Sequence, residues 1–204
     1  MSTTPSRQPG RKRDRERDAA ILDATLEVLA ERGYDGLTME AVAARARAGK
    51  ATVYRRWPAK AHLVHDAIVR MAQLDVDLAA LPDTGSLRGD IAALTRPDAF
   101  GERRVRVIAG LTAMLATDST GLGAVAYAAG VGVWVAANRA ALERAAARGE
   151  IAASADLDLL SRLIPSMCMY RVAVERVALD PAFTNGLIDR VLLPAAGLAP
   201  RLSD

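Results

Sequence analysis

Lys50, Thr52, Tyr54, Arg55 and Arg56 put five polar or cationic side chains within seven residues, interleaved with Val53 and followed by Trp57. On a helix, Val53 and Trp57 are four apart and turn inward together, leaving the other five facing outward. Such a surface suits the major groove of double-stranded DNA. Arg and Lys reach guanine edges or phosphates, the Thr hydroxyl and methyl meet a base, and a Tyr hydroxyl bonds a phosphate. Lys60 opens the next helix, where its ammonium and the unpaired N–H groups of a helix start both favour a phosphate. A basic helix alone is more often a solvated face, so the reading depends on its surroundings.

Those surroundings support it. Thr38 offers a side-chain oxygen to a helix start, and Met39, Val42, Ala43 and Ala46 follow at the spacing of one buried face. Arg47-Ala48-Gly49 breaks that helix, with Gly49 expected to take the backbone conformation that other residues avoid. The second helix runs from Lys50 to Trp57, and Pro58 ends it. Upstream, residues 14–32 form a first helix with Leu22, Thr25, Leu26 and Leu29 as its apolar stripe, and Gly33 as its stop. Helix, tight turn and basic helix, preceded by a third apolar helix, make a helix-turn-helix.

The segment Ala46-Arg47-Ala48-Gly49-Lys50-Ala51-Thr52-Val53-Tyr54-Arg55-Arg56-Trp57-Pro58-Ala59-Lys60, closing on Leu63, resembles the signature of the TetR-family repressors, roughly A-G-V-S-x-G-T-L-Y-x-H-F-x-S-K-x-x-L. Thr52, Tyr54, the aromatic Trp57, Lys60 and Leu63 match. Arg47 stands where the signature has Gly, Gly49 and Ala59 replace Ser caps, and Ala51 replaces Gly. Losing a Ser cap costs about 1 kcal/mol, less where Gly substitutes. Extra cations at Arg47, Arg55 and Arg56 offset the lost phosphate contacts. Thr38, Arg47, Gly49, Lys50, Thr52, Tyr54, Arg55, Arg56 and Lys60 are therefore the expected DNA-binding residues.

Charge distribution agrees with a nucleic-acid footprint at one end. Residues 1–63 hold 13 Lys/Arg against 8 Asp/Glu, and residues 64–204 hold 14 against 16. The basic excess is confined to the stretch with the reading helix. Hydrophobic residues make up 51% of the 204, enough for a sizeable core, and few aromatics amid much Ala and Leu favour an all-α fold. The lone cysteine, Cys168, forms no intramolecular disulfide, which suits a reducing cytoplasm. The N-terminus has no apolar signal-peptide core. The apolar run Ala124–Ala137, 14 residues, is too short for a bilayer, so no membrane partner is expected. His62 and His65 are three apart without a third ligand nearby, so no metal and no cofactor are expected. Two histidines on the DNA-proximal helix give no Ser-His-Asp arrangement, no phosphate-binding Gly loop occurs, and Cys168 between Met167 and Met169 reads as core. An enzyme is not expected.

The chain divides into a disordered basic arm (1–12), a helix-turn-helix domain (13–60) and a larger helical domain (61–204). In the last, helices are expected from Lys60 to about Leu81, Ser86 to Thr95, Glu102 to Thr117, Gly121 to Arg148, and Asp156 to Leu179 with Pro165 inside. A final helix starts at Asp180-Pro181 and is stopped by Pro194. The resemblance implies a homodimer built on the last two long helices, with Leu160, Met169, Val172, Phe183, Leu187 and Val191 at its interface. It also implies a pocket for a small apolar or amphipathic effector, with Phe100, Met114, Tyr127, Trp134, Asn138, Met167 and Tyr170 as candidate linings, and an operator released when effector binds. The competing reading is a helical architectural DNA-binding protein whose C-terminal half only dimerises.

Overall fold

The structure, a computed structural model, describes residues 9–95, 105, 107–108 and 121–199, without the side chains of 9–13, 122–123, 125–127 and 129. Every regular element among them is helical. Helix α1 (Pro9–Gly36) starts earlier than the sequence suggests and leaves helical geometry at Gly33, where φ is 68°. It is followed by α2 (Met39–Arg45), α3 (Lys50–Arg56) and α4 (Lys60–Asp75). Ile21, Leu26, Val28 and Leu29 of α1 bury against Val42, Val53, Trp57, Leu63, Val64 and Ile68. These apolar stripes, set at helical spacing, have nowhere else to leave water, and their burial holds the four helices together.

Behind this cluster stand α5 (Leu87–Leu94), α6 (Leu122–Ala147), α7 (Leu157–Tyr170, extended by a wider turn at Arg171–Glu175) and α8 (Pro181–Leu187). A second apolar cluster joins Leu87 and Ile91 of α5, Trp134, Ala141 and Leu142 of α6, Leu160, Ile164 and Val172, and Leu187, Ile188 and Leu192. Asp180 caps the last helix as expected, and Ser86 and Asp156 cap theirs: the side chains of Ser86, Asp156 and Asp180 accept from the backbone N–H of Gly89, Leu159 and Phe183. Three helix ends differ from expectation. Helix α7 with its wider turn ends at Glu175, short of the expected Leu179, because Arg176 turns left-handed at φ 58°. Helix α4 stops at Asp75, because Val76 turns extended and buries in the second cluster. Pro194 does not stop the last helix. A wide turn at Ile188–Leu192 displaces the carbonyl that a proline ring would strike, and the chain runs on to Ala195. The helix expected over Glu102–Thr117 lies outside the described residues save Val105, Val107 and Ile108, all helical and buried.

Helix α4 belongs to the front cluster and lies along α6 of the rear one. The first half of α4, Ala61 to Ile68, packs in the front cluster. At Ile68 it meets α6 so closely that a Cβ on Gly130 would stand 3.0 Å from the Ile68 Cγ2 atom. In the rear, polar groups also bind elements together. The fully buried Asp90 carboxylate accepts from the Thr84 N–H (2.6 Å) and hydroxyl (2.9 Å) and from the Arg144 guanidinium (3.2 Å). The Glu150 carboxylate accepts from the Leu87 N–H at the start of α5. Arg88 forks onto Asp189 at 2.7 and 2.8 Å.

Candidate nucleic-acid interface

Helix α3 is fixed to the front cluster by Val53, its single fully buried side chain, and by Trp57 just beyond it. Thr38 caps α2, its hydroxyl oxygen accepting from the Ala41 N–H at 3.1 Å. The turn that follows differs from the sequence expectation. Gly49 is extended (φ −66°) and caps α3 without a side chain, whereas the left-handed residue is Arg47, φ 51°. The reason is the hydrogen bonding at the end of α2: Arg47 N–H bonds Ala44 O and Ala48 N–H bonds Ala43 O, the paired bonds of a Schellman turn. That motif puts its left-handed residue at Arg47, the position where the family signature has Gly.

The expected contact residues separate into two groups. Arg47, Lys50 and Arg55 are exposed and enter no hydrogen bond or ion pair among the described residues, and Thr52 is half-buried beside them. The others are engaged within the chain. The Tyr54 hydroxyl donates to Glu40 at 2.9 Å. That bond pushes the Tyr54 phenol up. Glu40, held first by a backbone N–H and then by Tyr54, lies below its ordinary carboxyl range. Arg56 pairs with Asp14 (3.2 Å) and with Asp18. Lys60 donates to Tyr34 O at 3.1 Å and lies 4.3 Å above the Tyr34 ring, clamping the end of α1. The acidic partners were missed in the sequence. Their signal was the i,i+4 spacing of Asp14 with Asp18 and of Glu27 with Glu31, which receives Arg45 of α2.

His62 is exposed, while His65 bonds Asp66, whose other oxygen accepts from the Trp57 indole at 2.9 Å. No group of three metal-ligating side chains occurs among the described residues. No helix among them is long and apolar enough to cross a membrane. Burial pushes the Cys168 thiol up to about 12, which keeps it protonated and inert.

The rear residues need correction. Leu160, Val172 and Leu187, expected between copies of the chain, are buried in its own second cluster, with Met169 and Phe183 packed against it. Only Val191 of that set is exposed. The apolar side chains left outside on α7 and its wider turn are Leu159, Met167, Tyr170 and Val174, with Val177 just beyond. Helical spacing cannot tell an inward stripe from a neighbouring outward one when both are apolar. Of the candidate pocket linings, Trp134 and Asn138 are buried, and the Asn138 amide donates to Trp134 O at 2.8 Å. Met167 and Tyr170 face solvent instead. Phe100 and Met114 lie outside the described residues, as does the Tyr127 side chain.

A short helix with exposed cations, set across a tight turn from a capped α2, defines a helix-turn-helix DNA-binding protein. Comparison with known proteins agrees. Residues 21–67 match the family model "Bacterial regulatory proteins, tetR family", and residues 81–191 match the "Tetracyclin repressor-like, C-terminal domain". The chain belongs to the TetR family and is a DNA-binding transcriptional regulator, not an enzyme. It is 36% identical over 185 residues to the HTH-type transcriptional regulator Rv1556 of Mycobacterium tuberculosis, covering 88% of this chain and 87% of the relative. It is 34% identical over 187 residues to the DNA-binding transcriptional repressor TetR of Mycobacteroides abscessus, covering 87% and 92%. The fold is shared with GusR of Salmonella enterica, TM-score 0.66 at 18% identity over 89% of this chain and 96% of that one. It is shared too with the flavonoid-responsive regulator FrrA, TM-score 0.62 at 21% identity over 92% and 99%.

Proposed function

We propose that this chain is a cytoplasmic homodimeric repressor, released from a palindromic operator by a small apolar or amphipathic effector. Residues 13–60 form the reading domain, and residues 61–204 dimerise and bind effector. Arg47, Lys50, Thr52 and Arg55 meet the DNA. Arg55 and Lys50 face base edges, and Arg47 meets phosphate beside the turn. The exposed apolar side chains Leu159, Met167, Tyr170, Val174, Val177 and Val191 line the dimer interface, since such a stripe is costly to leave in water.

The observation that carries effector release is α4. Its first half packs in the front cluster, and at Ile68 it lies against Gly130 of α6. A ligand that shifts α6 therefore moves α4 and the reading helix with it. Release requires only that the effector bind the two arrangements with different affinity. A structural neighbour of this fold is itself flavonoid-responsive. A second reading, a DNA-binding dimer without effector, is favoured by the outward direction of Met167 and Tyr170, which removes two of the polarisable side chains from any internal pocket.

Genomic-fragment selection with the full chain at stated salt tests the first half of this reading. The expected result is a short palindrome bound at least about a thousandfold more tightly than random DNA. Salt-sensitive binding without a motif would overturn it. A thermal-shift screen then separates the two readings, because an effector at a hundred times its Kd stabilises by about 2.7 kcal/mol.

A further inference from the structure

Helix α3 has seven residues and buries only Val53 fully, with Trp57 following it. So little apolar contact holds a helix on its bed but leaves its tilt loosely set. Polar ties at two points supply the rest. Near the middle, Tyr54 donates to Glu40 of α2. At the C-terminal end, the Arg56 guanidinium lies between Asp14 and Asp18, one turn apart on α1. Arg56 is much less exposed than Arg55, its side chain 21% accessible, and both carboxylates it meets sit on a helix that carries no base-reading residue.

We propose that Arg56 is a positioning residue that sets the angle of the recognition helix, and that Asp14 and Asp18 are its partners in that task. The inference rests on α3 being the reading helix. A guanidinium held between two carboxylates is confined by their charge in a way that a solvated cation is not. Pinned there, Arg56 leaves Lys50, Thr52 and Arg55 to face the groove at a fixed tilt. The two acids would repel phosphate if left bare, and Arg56 screens them. The basic excess counted from the sequence therefore overstates the charge offered to DNA at this end of α3.

The test compares the full-length wild type with Asp14→Asn/Asp18→Asn, Arg56→Gln and the charge-reversed Arg56→Glu/Asp18→Arg. Each is titrated against the duplex recovered by genomic selection and a random duplex of equal length, over a range of salt, with helicity checked by circular dichroism. For the double Asn variant, the ratio of selected to random affinity is expected to fall about tenfold, the size of one mismatched base pair. Its random-duplex affinity holds or rises, because two anionic charges are gone. The charge-reversed variant restores most of the ratio, although position 56 is now anionic. The proposal is overturned if the double Asn variant binds both duplexes more tightly at an unchanged ratio. It is also overturned if Arg56→Gln lowers the salt slope by about one and charge reversal rescues nothing. A wild type without selectivity would overturn this role and the assignment of α3 together, whereas a selective wild type with an indifferent double variant overturns this role alone.

Discussion

The same backbone turn closes α2 in the reading head and α6 in the rear, with different residues at its strained point. At the end of α6, Gly149 N–H bonds Ala146 O and Glu150 N–H bonds Ala145 O, and Gly149 takes φ 72°. At the end of α2 the equivalent bonds form and Arg47 takes φ 51°. Glycine occupies the left-handed conformation without penalty, and an L-residue gives up about 1–2 kcal/mol there. The rear turn is built for stability. It delivers Glu150 onto the start of α5 and lies beside the buried Asp90–Arg144 pair. The front turn holds a strained cation at an exposed corner next to Lys50. Strain of this kind persists where function retains it.

The comparison breaks most sharply at Asp90. Replacing it with Ala leaves the Thr84 N–H and hydroxyl without their acceptor and takes a carboxylate from the partly exposed Arg144, and urea unfolding should show a loss of about 2–3 kcal/mol. Burial raises the Asp90 pKa, but the hydrogen bonds from Thr84 and Arg144 outweigh it and hold the carboxyl below its ordinary range. Its contribution to stability is therefore complete above the unfolded carboxylate pKa and disappears as pH falls through the lower folded one. Asp90→Ala should accordingly flatten the acid side of the stability profile. In the head, Thr38→Ala removes the cap of α2 and should lower stability by about 1 kcal/mol in the same assay.

The turns themselves give smaller, opposite effects. A Cβ on Gly149 meets nothing within 4 Å, so Gly149→Ala isolates backbone strain. After the entropy that Ala removes from the unfolded chain, a loss of about 0.5–1 kcal/mol should appear. Arg47→Gly should raise stability by about 0.5 kcal/mol, strain relief exceeding the added chain entropy. The same variant should weaken binding to all duplexes and lower the salt slope by about one. A stabilised variant with unchanged DNA binding would show that the strain at Arg47 serves no contact.

Helix starts with a capping side chain were legible in the sequence because they rest on local rules. Thr38 and Asp180 were read as caps and are caps, and the helices placed from Ser86 and Asp156 start there, on caps of the same kind. The identity of the left-handed residue was not legible. Gly49 has the right chemistry, but hydrogen bonds counted back from the end of α2 place the turn at Arg47, and that register depends on where the helix stops. The cations on α3 were recognised as a group, yet their partners on α1 lie about forty residues upstream and only packing brings Asp14 and Asp18 under Arg56. The outward stripe on α7 escaped for a related reason. Leu159 and Leu160 are adjacent in sequence and equally apolar, and the choice between them belongs to α6 and the wide turn at Ile188–Leu192.

The meeting of α4 and α6 is a broad seam, tightest where Gly130 lets the Ile68 side chain approach. In mechanical terms α6 splints α4. A close-packed seam has low compressibility and passes a displacement on with little loss. At 1.5 Å per residue, α4 spans about 24 Å from Asp75 to Lys60. A shift of α6 along that seam therefore reaches the start of α4, next to α3, in the same sense and at nearly its full size.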